Sequence, residues 1–158
     1  MSADDRFGGW SIDQKVFGWI LSNIPVGSSV LELGSGWSTG ELGRYYDMHS
    51  VEDELYYFNR YKSTYILAES SSGWYNRKTL EDSLHRIDYK LLLIDGPSHN
   101  KRSKIMENMD LFRWSVPVII DDYQEGDIKL YSDRIADEYC KRPFEIIRGT
   151  EKLAMVIP

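Results

Sequence analysis

The chain has 158 residues, 42% hydrophobic and 28% charged, with a formal net charge of −6. That length supports one domain with a buried core, and the acidic balance argues against a broad phosphate-binding surface for duplex DNA or RNA. No basic run exceeds the pair Lys101-Arg102, no apolar run is long enough to span a bilayer, and a lone cysteine, Cys140, rules out an intrachain disulfide.

The first ten residues, MSADDRFGGW, lack the basic start and apolar run of a signal peptide. They read as a flexible lead ahead of a single domain over residues 11–158. One thiol fits a reducing, cytoplasmic setting, and Cys140 reads as a small buried side chain at a helix end. Ser11 and Gln14 have the spacing of a capping box. Ile12, Val16 and Ile20 recur at helical spacing, as do Phe17, Leu21 and Ile24. That helix stops near Asn23, because Pro25 disfavours helix in the residue before it.

Residues 30–40, VLELGSGWSTG, carry the first chemical signal. Val30, Leu31 and Leu33 suit a strand, over residues 29–33, covered on both faces. The Gly34-Ser35-Gly36 turn lets the main chain bend tightly and lets a ligand approach it. Ser38 followed three residues later by Glu41 reads as a second capping box, opening a helix over residues 40–46. A strand, a glycine turn and a helix start together make a nucleotide-cofactor site. Thr39 stands where the dinucleotide fingerprint has its third glycine, which counts against a nicotinamide or flavin.

Residues 49–52 read as a second strand ending in Glu52-Asp53-Glu54. Glu52 lies 18 residues after Gly34, near the ~20-residue offset at which an acid meets ribose hydroxyls in a doubly wound sheet. Asp53 is the second choice for that role. A helix over residues 55–60 and a strand over residues 63–68 follow, the strand on its β-branched and aromatic content. Residues 69–73 form a polar loop. Trp74-Tyr75 suits either a stacking wall or the core. Residues 76–86 read as a helix with Leu80, Leu84 and Ile87 on one stripe.

The two most apolar strands come next. Residues 90–94 end in Asp95-Gly96-Pro97, and residues 117–120 end in Asp121-Asp122-Tyr123. Between them Ile105, Met109 and Phe112 mark a helix over residues 101–113. Ile128, Tyr131, Ile135 and Tyr139 share one face of a long helix. Strands over residues 144–147 and 152–157 close the chain around a Gly149-Thr150 turn. The order predicts an α/β, Rossmann-like fold: a seven-stranded, mostly parallel sheet with helices on both faces and a C-terminal antiparallel hairpin. Ligands in such a sheet bind at the carboxyl ends of the strands.

Glu32-Leu33-Gly34-Ser35-Gly36 resembles the first motif of class I S-adenosylmethionine-dependent methyltransferases: an acid, any residue, Gly, any residue, Gly. Ser38 replaces the third glycine often seen there. The resemblance extends over residues 11–158. It implies S-adenosylmethionine as cofactor, with Glu32 at its amino group and Gly34, Ser35, Gly36, Ser38 and Thr39 around it. It also implies Glu52 or Asp53 at the ribose, Glu69 or Ser70 at the adenine, and Asp95 at the same rim.

IDGP and IIDDY further resemble the strand ends of metal-dependent O-methyltransferases of the catechol and macrocin types. That resemblance implies Mg²⁺ held by Asp95, Asp121 and Asp122, binding an acceptor hydroxyl of a small molecule or sugar. The alternative is that these aspartates cap turns. The catechol type has a lysine three residues after its first aspartate. Ser98 stands there in this chain, which leaves His99 as the nearest general base; Lys101 and Arg102 could instead hold an acidic acceptor. Two rival readings share the fold: a non-catalytic cofactor-binding or regulatory module, and an enzyme using the cofactor for a different reaction. Methylation of nucleic-acid bases is disfavoured, since Asp-Gly-Pro-Ser replaces the Pro-Pro-aromatic pattern of that group.

Overall fold

The computed structural model describes residues 7, 11–70 and 72–158. The expected lead over residues 1–10 lies outside these, apart from Phe7, whose ring meets Trp37 edge-on at 4.8 Å. The strands are β1 (Ser29–Leu33), β2 (Asp47–Glu52), β3 (Thr64–Leu67), β4 (Leu91–Ile94), β5 (Val118–Ile120), β6 (Glu145–Arg148) and β7 (Leu153–Ile157). They form one sheet in the order β3-β2-β1-β4-β5-β7-β6. Pairing is parallel from β3 to β5, and β7 runs antiparallel to both β5 and β6.

Alternation along each central strand feeds two cores. Leu31, Leu33, Leu92, Ile94, Val118 and Ile120 join one apolar cluster, with Leu80 of α3 (Arg77–Leu84) and Ile128 of α5 (Gly126–Arg134). Val30, Leu91, Leu93 and Ile119 join the other, with Val16 and Ile20 of α1 (Gln14–Asn23). Successive side chains on a strand point to opposite faces, so a strand buried on both sides must be apolar throughout. Glu32 breaks that rule on β1 and shares the face of Val30.

The order in which the chain adds strands reverses between β1 and β4, with β2 and β3 on one side and β4 and β5 on the other, which is where a doubly wound fold opens its ligand crevice. Gly34 makes that junction. Its φ is +86°, and a Cβ there would lie 2.8 Å from the Asp95 carbonyl oxygen and 2.9 Å from the Gly96 Cα. Gly27 has the same φ with open space around it. Gly27→Ala is therefore expected to cost only the left-handed backbone strain, about 1–3 kcal/mol. Gly34→Ala should cost clearly more, because backbone must also move. Urea unfolding of both variants measures the difference, and equal losses would contradict the close approach.

Several local elements depart from the periodic reading. The N-cap of α1 is Asp13, whose carboxylate accepts from the Lys15 and Thr150 amides at 2.8 and 3.0 Å, and not Ser11. Helix α2 spans Trp37–Leu42, capped by Gly36, so Ser38 lies inside it. Residues 55–60 make turns and no helix, and Asn59 adopts a left-handed φ of 57°. The expected helix over residues 101–113 is a short α4 (His99–Arg102) followed by 3₁₀ turns. Asn108 divides it: its amide donates to the Lys104 carbonyl and its oxygen accepts from Arg77, a side-chain competition with helical bonding. Helix α5 widens into a π-helical stretch over Ile135–Cys140, and Cys140 is half-buried there. Trp74 and Tyr75 both belong to the core.

Candidate active site

A cleft of about 710 Å³ opens at the carboxyl ends of β1, β2, β4 and β5. Gly34, Ser35 and Gly36 line it from the turn after β1, with Glu52 and Asp53 from the end of β2. Asp95, His99, Arg102 and Asp122 complete the opposite wall. Parallel pairing in register brings these strand ends to one rim: Leu33 lies beside Val51 and Ile94, and Ile94 beside Ile120.

Glu52 is 4% exposed, and its carboxylate ties the rim together. One oxygen accepts from the Ser35 amide and hydroxyl, both at 2.9 Å, and the other from the Asp53 and Glu54 amides at 3.2 and 3.3 Å. Burial raises its pKa, and the Ser35 bonds oppose that shift. The carboxylate is thus held in a fixed orientation at the cleft wall. Asp53 is paired with Lys101 at 3.5 Å.

Five of the expected cofactor residues do not line the cleft: Glu32, Ser38, Thr39, Glu69 and its alternative Ser70. Glu69 is exposed on its loop. Ser38 and Thr39 turn inward with α2, 3% and 0% exposed. Glu32 is 1% exposed and bonded within the fold. Its Oε1 accepts from the hydroxyls of Thr39 and Ser50, each at 2.6 Å, and so bolts β1 to α2 and β2. Thr39 Oγ1 also accepts from the Gly36 amide at 3.0 Å, which holds the glycine turn. The acid of the motif therefore shapes the turn from beneath.

Burial raises the Glu32 pKa from 4.5 to about 7, against the Ser50 and Thr39 bonds that lower it. The unfolded carboxyl releases its proton near 4.5 while the folded one keeps it, so the Glu32 contribution to stability is fully present below 4.5. It falls as pH rises through about 7. At ~1.36 kcal/mol per pH unit the swing is about 3 kcal/mol. Glu32→Gln should flatten that limb and be more stable than the parent at pH 8. Urea midpoints across pH test this; two parallel curves would contradict it.

The second acidic cluster does converge. One carboxylate oxygen each from Asp95, Asp121 and Asp122 lies within 4.8 Å of the others. The cluster also contains two cations. Arg102 Nη1 donates to Asp122 Oδ2 at 2.9 Å, and its Nη2 meets Asp95 Oδ1 at 3.3 Å. Lys152 Nζ sits 2.5 Å from Asp121 Oδ2 and 3.6 Å from Asp122 Oδ1. His99 Nε2 lies 3.0 Å from Asp122 Oδ2. Burial lifts the Asp95 carboxyl well above its usual range, and the Asp121 charge adds to this. Burial also acts on Asp122, but Lys152 and Arg102 outweigh it and leave that carboxyl below the usual range.

Sequence reasoning missed Lys152, 31 residues from Asp121, and pointed to a ring-lined pocket without placing the residues that form it. Trp37, Tyr56, Tyr57 and Tyr61 line the cleft, with the Arg60 guanidinium 4.4 Å from the Tyr56 ring centre. The only advance signal was the high aromatic content, 13% of the chain.

Solved structures share this architecture. A precorrin-6y C5,15-methyltransferase from Geobacter metallireducens GS-15 aligns over 100% of this chain and 98% of its own, with a TM-score of 0.63 and 14% identity. An O-methyltransferase from Bacillus cereus, solved in complex with SAH, aligns over 98% of this chain and 85% of its own, with a TM-score of 0.59 and 17% identity. MycE, a methyltransferase of mycinamycin biosynthesis solved with Mg and SAH, aligns over 96% of this chain at a TM-score of 0.61 and 13% identity. The chain spans half or less of the MycE chains that it matches. No protein-family model and no curated protein matches the sequence. The chain has the fold of the S-adenosylmethionine-dependent methyltransferases. Among the described residues, no helix is long and apolar enough to cross a membrane.

Proposed function

We propose that the chain is an S-adenosylmethionine-dependent methyltransferase acting on a hydroxyl oxygen of a small molecule or sugar. One observation carries this reading: the glycine turn with Glu52, and the His99–Asp122 pair, face each other across a single cleft. The residues fit the cofactor. A ribose diol needs a fixed acceptor at the end of β2, and Glu52 is one. Gly34 and Gly36 leave bare backbone beside the path of the methionine portion. The aromatic wall offers faces for an adenine ring.

When bound, the cofactor supplies an electrophilic methyl group. The chain's own contribution is placement, together with removal of one proton. In the tautomer that donates Nε2–H to Asp122, the basic lone pair of His99 lies on Nδ1. Asp122 stabilises the imidazolium that forms when the acceptor hydroxyl gives up its proton. Orienting the acceptor against the methyl supplies most of the remaining rate. No step runs through Mg²⁺, because Arg102 and Lys152 already bond to the aspartates named for it. The same reading puts the protein in the cytoplasm, in keeping with a lone cysteine.

Cofactor with an isotopically labelled methyl group, offered with a panel of phenols, catechols, sugars and hydroxy acids, tests the proposal. The expected product is a labelled methyl ether. Label on carbon or nitrogen would move the chain to another reaction class, and cofactor binding with no product from any acceptor would favour a binding module.

A further inference from the structure

We propose that Arg102 and Lys152 hold the three strand-end aspartates with fixed positive charge in the place of a divalent cation. The site is therefore metal-independent, and Lys152 is a positioning residue that holds Asp122 and, through it, His99. The consequence for methyl transfer rests on the function proposed above; the statement about metal does not.

The two cations are built into the fold. Lys152 immediately precedes β7, which pairs with β5 so that Met155 lies opposite Ile120. Continued past the strand ends, that register sets Ala154 opposite Asp121, and Lys152, two residues away on β7's approach, reaches Asp121 Oδ2 with its Nζ at 2.5 Å. Arg102 ends α4 and is held at three further points: its Nε donates to the Pro97 carbonyl at 2.7 Å, and its Nη2 to the Asp95 carbonyl at 2.9 Å and carboxylate at 3.3 Å. Side chains of both residues are about as buried as the carboxylates they meet, 6% exposed for Arg102 and 5% for Lys152. These are not surface pairs that solvent can loosen.

The bonding leaves a divalent ion little to work with. Asp122 Oδ2 already accepts from His99 and Arg102, its Oδ1 faces Lys152, and Asp121 Oδ2 accepts from Lys152. Mg²⁺ requires near-octahedral oxygen ligands at about 2.0–2.1 Å. Gathering those ligands here means breaking these bonds and placing two positive charges against two more, in a buried setting where repulsion is strong.

Asp122 has a left-handed φ of 59°, a conformation uncommon outside glycine, asparagine and aspartate. It turns the carboxylate between His99 on one side and Arg102 and Lys152 on the other. A lysine that fixes this acceptor sets the imidazole without touching acceptor or cofactor.

The test titrates Mn²⁺ into the full chain and counts bound ion by electron paramagnetic resonance, with and without S-adenosylmethionine. The wild type is expected to show no saturable site at millimolar Mn²⁺. Lys152→Met frees the Asp121 and Asp122 oxygens and is expected to gain a site at least about tenfold tighter. Lys152→Arg should remain without one. A saturable wild-type site that Asp121→Asn abolishes would overturn the proposal. So would a Lys152→Met protein, folded by circular dichroism, that binds no more Mn²⁺ than the wild type. If the methionine variant does not fold, Lys152→Gln takes its place and is read in the same way. A chain that binds neither cofactor nor Mn²⁺ would sink the methyltransferase reading and leave the metal-free cluster standing.

Discussion

Replacing His99 with alanine is expected to slow methyl transfer by about 10²–10⁴-fold and to leave S-adenosylmethionine affinity close to that of the wild type. The imidazole stands on the acceptor side of the cleft, 3.0 Å from Asp122 Oδ2, whereas the cofactor contacts cluster around Glu52 and the glycine turn. Loss of the base should also change the shape of the pH–rate profile. Without His99 the hydroxyl must ionise unaided, so the rate should climb steadily with pH towards the acceptor's own pKa. The wild-type profile should be flatter, because the imidazole takes that proton. Single-turnover rates across pH measure both effects. A variant that keeps its rate and loses only acceptor affinity would make His99 a binding group.

Glu52→Ala should have the largest effect on binding. Hydrogen bonds to a charged group contribute roughly 1.5–3 kcal/mol each, and a ribose diol makes two of them. Affinity for S-adenosylmethionine is therefore expected to fall by at least about 100-fold. Part of that loss is indirect. The carboxylate also holds Ser35 at 2.9 Å through amide and hydroxyl, so its removal loosens the turn that the cofactor lies against. Glu52→Gln separates the two. It keeps an acceptor for the Ser35 amide but loses the charge, and it should fall between wild type and alanine. Unchanged binding in both variants would remove Glu52 from the site.

Much of this geometry was legible in the chain, for identifiable reasons. β4 and β5 are apolar on both faces because helices cover both, and such runs stand out. An aspartate directly after each lands at the carboxyl edge once parallel pairing is assumed. Asp95, Asp121 and Asp122 could thus be placed on one rim. Glu52 followed from its offset after the glycine turn. What escaped depends on contacts that periodicity does not encode. The role of Glu32 is set by Thr39 and Ser50 hydroxyls on two other elements. Lys152 meets Asp121 only because β7 inserts beside β5. Residues 55–60 read as a helix, yet four of the six, two Tyr, Phe and Asn, are weak helix formers, and with Asn59 in the left-handed region they make turns that carry Tyr56, Tyr57 and Arg60 to the cleft. The glycine turn was read correctly in place and incorrectly in detail, since Gly36 and Thr39 cap α2 where Ser38 and Glu41 were expected.

Calorimetric titration of the wild-type chain with S-adenosylmethionine tests the central claim most directly. The account predicts one saturable site per chain, shared with S-adenosylhomocysteine as a competitor and weakened by Glu52→Ala. No heat of binding at millimolar cofactor, from a chain shown to be folded, would contradict it.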